Sequence, residues 1–262
     1  MRLRVLTALL IIATPTAQTP RVEKEWLGPA SQRTRAALFR STDAGRSPIL
    51  VVVLHGDLGL ANVLAINAAS EIHGIVAAAL VRPGYTDGDG DTSDGVKGSA
   101  TGDNYTPEVL NQMDAAIRPL KSQFHPSAVV LVGHSGGAAI SADLIARDNG
   151  LARVALLLSC PCDVPTWRKH MNTLRPSPLW DKPVTSISPM SVVSEISPNA
   201  EIWMMVGDKD DIAPPELTER YAAALRKHGI EPHVIILPGR GHNIIFDSAV
   251  IQQLSALVAR LR

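Results

Sequence analysis

Short apolar runs recur along this chain, and stretches with helical spacing separate them. Ile49 to Leu54 is apolar throughout, and "GIVAAAL", "AVVLVG", "ARVALLLS", "EIWMMVG" and "PHVIILPG" follow it at intervals. A strand that is apolar at every position has both faces covered, as in a parallel sheet. Between the runs lie helix-like segments: residues 60 to 72, "TPEVLNQMDAAIRPLKSQF", Gly137 to Arg147, "PPELTERYAAALRKHG" and "DSAVIQQLSALVARLR". The alternation predicts an α/β chain with a mostly parallel central sheet and helices on both faces. Ligands bind such sheets beyond the carboxyl ends of the strands, so the residues just after each apolar run carry the function.

With 262 residues, 45% of them hydrophobic, the chain can bury one sizeable core, and a single domain over residues 18–262 is expected. Lys plus Arg and Asp plus Glu number 25 each, so no net field favours nucleic acid. The first residues, "MRLRVLTALLIIATPTAQTP", place two arginines before an apolar run from Val5 to Ala13. That order predicts a signal peptide over residues 1–17 and an exported, periplasmic or secreted protein. The run is too short for a stable membrane anchor.

Cys160 and Cys162 are the two cysteines of the sequence. Their spacing suits neither zinc nor any other metal, and either a tight disulfide around Pro161 or two inert thiols is compatible with it. Residues 160 to 200 read as irregular, either a small lid or a cover over the sheet edge.

Gly133-His134-Ser135-Gly136-Gly137 follows a predicted strand and opens a predicted helix. In G-x-S-x-G the serine takes a strained turn, and small residues two before and two after it let strand and helix backbones approach. Ser135 is thus a candidate nucleophile, and the Gly136 N–H, at the positive end of the helix, a candidate oxyanion donor. A serine hydroxyl needs a base. His242, in "LPGRGHNII", follows the strand ending near Leu237 and so falls at the same end of the sheet. The other histidines, His55 and His134 among them, read as structural or solvated. For the acid, "MMVGDKDDIAPP" offers Asp208, Asp210 and Asp211.

Taken together, "LHGD", "RPGY", "GHSGG", "GDKDDIAPP" and "GRGH" resemble the α/β-hydrolase fold over nearly the whole mature chain. The part from "ISPMSVVSEI" to "GRGHNII" is similar to the catalytic domain of the prolyl oligopeptidase-like family and to small bacterial esterases. The resemblance implies that Asp210 orients His242, in the chain order Ser135, Asp210, His242. It implies a second oxyanion donor at the Asp57 N–H, with a carboxylate there that must turn away or be paired, or else Leu58 supplies the N–H. It also implies a small lid or none, no metal or organic cofactor, and a small ester or a short peptide as substrate. Only about thirty mature residues precede the first buried strand, so the gating propeller of full-length prolyl oligopeptidases is expected to be absent.

The expected chemistry is cleavage of a carboxylic ester or related acyl bond through an acyl-enzyme. Its rivals are a peptidase acting on short peptides and an inactive binding module on the same fold. Leu58 and Trp167 are candidate substrate contacts, with Arg168 as a carboxylate-binding cation; a packed tryptophan and a surface arginine are the alternative. The acidic run "GYTDGDGDTSDG" lacks the sixth-position glycine and twelfth-position glutamate of an EF-hand, and reads as a flexible, solvated loop.

Overall fold

A computed structural model describes residues 22–59, 61–102, 104–148 and 150–262. The expected signal peptide lies outside these residues. Strands β1 (Val22–Leu27), β2 (Thr34–Arg40), β3 (Ile49–Leu54), β4 (Ile75–Leu80), β5 (Ala128–His134), β6 (Val154–Leu158), β7 (Glu201–Gly207) and β8 (His233–Leu237) form one sheet in the order β1-β2-β4-β3-β5-β6-β7-β8. β2 pairs antiparallel with both β1 and β4, and from β4 to β8 every pairing is parallel. After β3 the chain steps to one side to form β4, then crosses to the other side for β5. That reversal opens a crevice at the carboxyl ends of β3 and β5.

Side-chain alternation divides the core in two. Leu50, Val52 and Leu54 of β3 face a cluster that includes Leu110, Met113 and Ile117 of α2 (Pro107–Phe124), Ile140 of α3 (Gly136–Arg147) and Tyr221 of α6 (Pro215–Lys227). Val51 and Val53 face the opposite cluster, with Leu64 of α1 (Ala61–Glu71) and Leu254 of α7 (Ser248–Arg260). Both faces of β3 and β4 are fully buried, which is why these strands read as unbroken apolar runs.

Two expectations need correction. Residues 160–200 are not irregular. They contain helix α4 (Val164–Leu174), short 3-10 turns and the single turn α5 (Pro189–Val192). Asp163 caps α4, with its side chain accepting from the Thr166 N–H, and Pro165 occupies the first turn. The acidic loop is not free. Arg35 pairs with Asp87 at 3.3 Å and Asp91 at 2.7 Å, Arg33 pairs with Asp94 at 3.2 Å, and Lys24 pairs with Asp89, so the β1–β2 hairpin neutralises the loop and holds it down. Of the two compatible states of the cysteines the structure has the disulfide, Cys160 to Cys162.

Inside α3, Asp143 is fully buried, and neither carboxyl oxygen has a hydrogen-bond partner among the described residues. Burial raises its pKa well above the usual carboxylate value, against the opposing pull of Arg147. The folded chain therefore carries a proton there that the unfolded chain releases above about pH 4. For a carboxyl raised on folding, stability is fully present below the unfolded value and lost as pH rises. Asp143→Asn, which needs no proton, is expected to gain on the wild type by about 1.4 kcal/mol per pH unit above that point, up to the folded pKa. Urea unfolding at pH 5 and pH 7 checks this, and a gap that does not widen with pH sinks it.

Candidate active site

Ser135 joins β5 to α3 with φ of 53° and ψ of −120°, a backbone conformation that side chains other than glycine's rarely adopt. Its neighbours make this possible. A Cβ on Gly133 would lie 2.2 Å from the Gly137 carbonyl oxygen, and one on Gly137 would lie 2.1 Å from that of Leu54. Strand and helix backbones touch here, so only glycine fits at either position. The Ser135 N–H donates to the Leu158 carbonyl at 2.8 Å, which fastens the turn to β6. As the first helical residue, Gly136 has an N–H with no acceptor inside the helix.

The candidate base, His242, arrives from the loop after β8. His242 Nε2 lies 3.0 Å from Ser135 Oγ, and His242 Nδ1 lies 3.0 Å from each carboxyl oxygen of Asp210. Of the three aspartates after β7, geometry selects Asp210. Asp208 accepts the Gly239 N–H, and Asp211 is exposed, with its carbonyl serving His170. Asp210 is only 3% exposed. Burial pushes its pKa up, but the His242 ring, the Ala213 N–H and the Ser159 hydroxyl outweigh this and hold it below the ordinary value. Asp210 is therefore a carboxylate when His242 is charged. Serine, imidazole and carboxylate thus form a continuous hydrogen-bonded line.

On the far side of Ser135, a Cβ on Gly56 would lie 2.9 Å from Ser135 Cβ, so the turn after β3 closes against the serine. Asp57 follows, and of the alternatives open for its carboxylate the structure has it paired. One oxygen accepts from Tyr85 Oη at 2.7 Å, Asn104 Nδ2 at 3.2 Å and Arg82 Nη1 at 3.4 Å. Arg82 is 1% exposed and gives this carboxylate a buried counter-charge. His55 fixes the same turn, because its Nε2 accepts the Arg82 N–H at 2.9 Å and its Nδ1–H donates to the Gly56 carbonyl at 2.5 Å. Burial, helped by the Arg82 charge, lowers the His55 pKa to about 3, so the ring stays neutral.

The predicted substrate contacts separate. Leu58 is 65% exposed on the turn after Asp57 and free to meet a ligand. Trp167 is corrected: it is 6% exposed, donates from Nε1 to the Ile212 carbonyl at 2.8 Å and meets Trp180 edge-on, tying α4 to the Asp210 loop rather than walling the site. Arg168 is neither a surface arginine nor a free cation, since its guanidinium is buried and donates to the carbonyls of Thr101, Trp180 and Lys182. The sequence reading missed Arg82, Tyr85 and Asn104 as partners of Asp57, and the "RPGY" motif was the available signal for the first two. An open cavity of about 420 Å³ beside His242 is lined by Arg240, Asn243 and Phe246, the last 48% exposed.

Residues 86–260, more than half of the chain, match the model of the prolyl oligopeptidase family. No curated protein matches the chain in sequence. Among solved structures it is similar to the esterase Est1E from Butyrivibrio proteoclasticus, with a TM-score of 0.69 at 14% identity, over 91% of this chain and 98% of that one. It is also similar to a puromycin-hydrolyzing peptidase of Mycobacterium tuberculosis, with a TM-score of 0.68 at 18% identity over 96% of this chain. The acylaminoacyl peptidase of Pyrococcus horikoshii gives 0.67 at 12% identity over 93%. The chain spans only 41% of each of these two peptidases. At these identities the likeness establishes the α/β-hydrolase fold. The family match goes further: this chain belongs to the prolyl oligopeptidase family.

Proposed function

We propose that the protein cleaves carboxylic esters, or closely related acyl bonds, through an acyl-enzyme on Ser135. The observation that carries this reading is the single imidazole that meets Ser135 Oγ and the Asp210 carboxylate at 3.0 Å on its two nitrogens. His242 takes the serine proton as Oγ attacks the carbonyl carbon, and Asp210 stabilises the imidazolium so formed. The N–H groups of Gly136 and Asp57 receive the oxyanion. His242 returns the proton to the leaving oxygen, and the cycle repeats with water as nucleophile. Leu58 offers an apolar contact for the acyl or leaving group. The same machinery cleaves amides, and the family match favours a short-peptide substrate as the second reading.

Export in a mature form of residues 18–262, acting as one α/β unit, is part of the proposal. The basic-then-apolar start of the chain and the Cys160–Cys162 disulfide both support it. Labelling with a fluorophosphonate, beside turnover of short-chain esters and peptide anilides, tests the chemistry. Labelling lost with Ser135→Ala and faster turnover of esters support the esterase. Preference for anilides moves the reading to a peptidase, and a folded wild type that does not label makes the site a binding module.

A further inference from the structure

His242 sits on a loop that burial does not hold. Pro238 to Gly241 are exposed and are held by hydrogen bonds instead, the Gly239 N–H donating to Asp208 and the Lys209 N–H to the Arg240 carbonyl at 2.9 Å. Three described residues other than glycine have positive φ: His125, which ends α2, Ser135, and Ser159 at 50°. Ser159 ends no helix. It is the first residue after β6, fully buried, with its N–H on the Met205 carbonyl at 2.8 Å. A strained conformation in a buried non-glycine residue persists where the surroundings impose it, commonly beside a functional site.

The side chain shows what the strain achieves. Ser159 Oγ donates to the His242 carbonyl at 3.1 Å, and the hydroxyl also hydrogen-bonds the Asp210 carboxylate. From the other side, His134 Nε2–H donates to the same His242 carbonyl at 2.9 Å. A hydroxyl has one proton and a carbonyl oxygen two lone pairs, so His134 satisfies the carbonyl while Ser159 is shared between it and Asp210. One residue earlier, the Leu158 carbonyl holds the Ser135 N–H. The tip of β6 thus touches all three members of the line.

We propose that Ser159, assisted by His134, is a positioning residue that seats the base loop against Asp210, and that its left-handed backbone is retained for this purpose. The proposal rests on the hydrolase reading of Ser135, His242 and Asp210. Glycine at 159 removes the hydroxyl and also relieves the backbone, whereas alanine removes the hydroxyl alone. A residue that only holds the fold together loses stability and activity together; a positioning residue under strain separates them.

The test measures thermal melting, kcat and KM on a nitrophenyl ester, and the rate of fluorophosphonate labelling for wild type, Ser159→Gly and Ser159→Ala. Expected are a fall in kcat and labelling rate of about 10- to 100-fold in both variants, the worth of a hydrogen bond to a charged group, with KM little changed. Ser159→Gly should melt no lower than wild type. Unchanged kcat and labelling in Ser159→Gly overturn the proposal, as does a fall in melting temperature that accompanies the fall in kcat. A wild type that is not labelled defeats the hydrolase reading itself, which separates that failure from a labelled wild type indifferent to residue 159.

Discussion

Ser135→Ala and His242→Ala are each expected to lower kcat by about 10⁶-fold, and Asp210→Asn by about 10⁴-fold, with the fold intact. The first two remove the nucleophile or its proton acceptor, and because the pair acts as a unit the double variant should lose little more than either single one. The asparagine is the more informative change. Asp210 meets His242 Nδ1 with both oxygens at 3.0 Å while also accepting the N–H groups of Ile212 at 3.0 Å and Ala213 at 2.8 Å. An amide oxygen can keep the two backbone bonds. Its NH₂ group then faces Nδ1, favours the tautomer with the proton on Nε2, and leaves Ser135 without an acceptor. Asp211→Asn, on an exposed carboxylate of the same loop, should leave turnover essentially unchanged. Steady-state kinetics on the three single variants and this control decide the matter. Equal losses at 210 and 211 would contradict the assignment of the acid.

Position after a strand end made Ser135 and His242 readable from the sequence. A parallel sheet gathers its strand ends along one edge, and both residues directly follow or closely trail an apolar run. The candidate acid was not readable in this way, since Asp208, Asp210 and Asp211 all follow β7 and spacing alone gives no preference. Resemblance selected Asp210, and ring geometry agrees with it. Helix α4 was legible but overlooked: its buried residues Val164, Trp167, Arg168 and Met171 fall at helical spacing behind an Asp cap and a first-turn proline. The repeated prolines of that region read as loop instead.

Other features left no pattern to find. Ser159 is one small polar residue at the end of an apolar run, and only its φ and its contacts distinguish it from a strand-end turn. The partners of Asp57 come from two separate segments, Arg82 and Tyr85 from one and Asn104 from the other, and nothing in sequence spacing joins either segment to residue 57. The acidic loop read as solvated because its counter-charges, Arg33 and Arg35, lie more than fifty residues upstream on β2 and the turn before it. Local periodicity reports on elements, while these contacts depend on which elements become neighbours.

The two buried histidines beside the site are expected to make the fold acid-labile well above the ordinary carboxylate range. His55 is lowered to about 3, by burial first and then by the Arg82 charge. His134 is lowered to about 4, by burial foremost, with repulsion from His242 adding to it against the opposing hydrogen bond to the His242 carbonyl. In the unfolded chain both titrate near 6.5, so between about pH 6.5 and pH 4 the unfolded state binds two protons that the folded state refuses. Stability is then lost as pH falls, by about 1.4 kcal/mol per pH unit for each ring, or about 2.7 kcal/mol for both. The lowered Asp210 contributes in the same direction only below its unfolded value near 3.8, outside this window. Asp143, which gains stability on acidification, offsets part of the loss for as long as its folded form holds a proton that the unfolded chain lacks. Urea unfolding from pH 7 to pH 4 should therefore show a steep decline, and Asp143→Asn should steepen it further by removing the opposing proton. His134→Gln, which keeps a donor for the His242 carbonyl, should take away the contribution of one ring. A flat profile from pH 6 to pH 4 in Asp143→Asn would mean that these rings titrate normally in the folded protein.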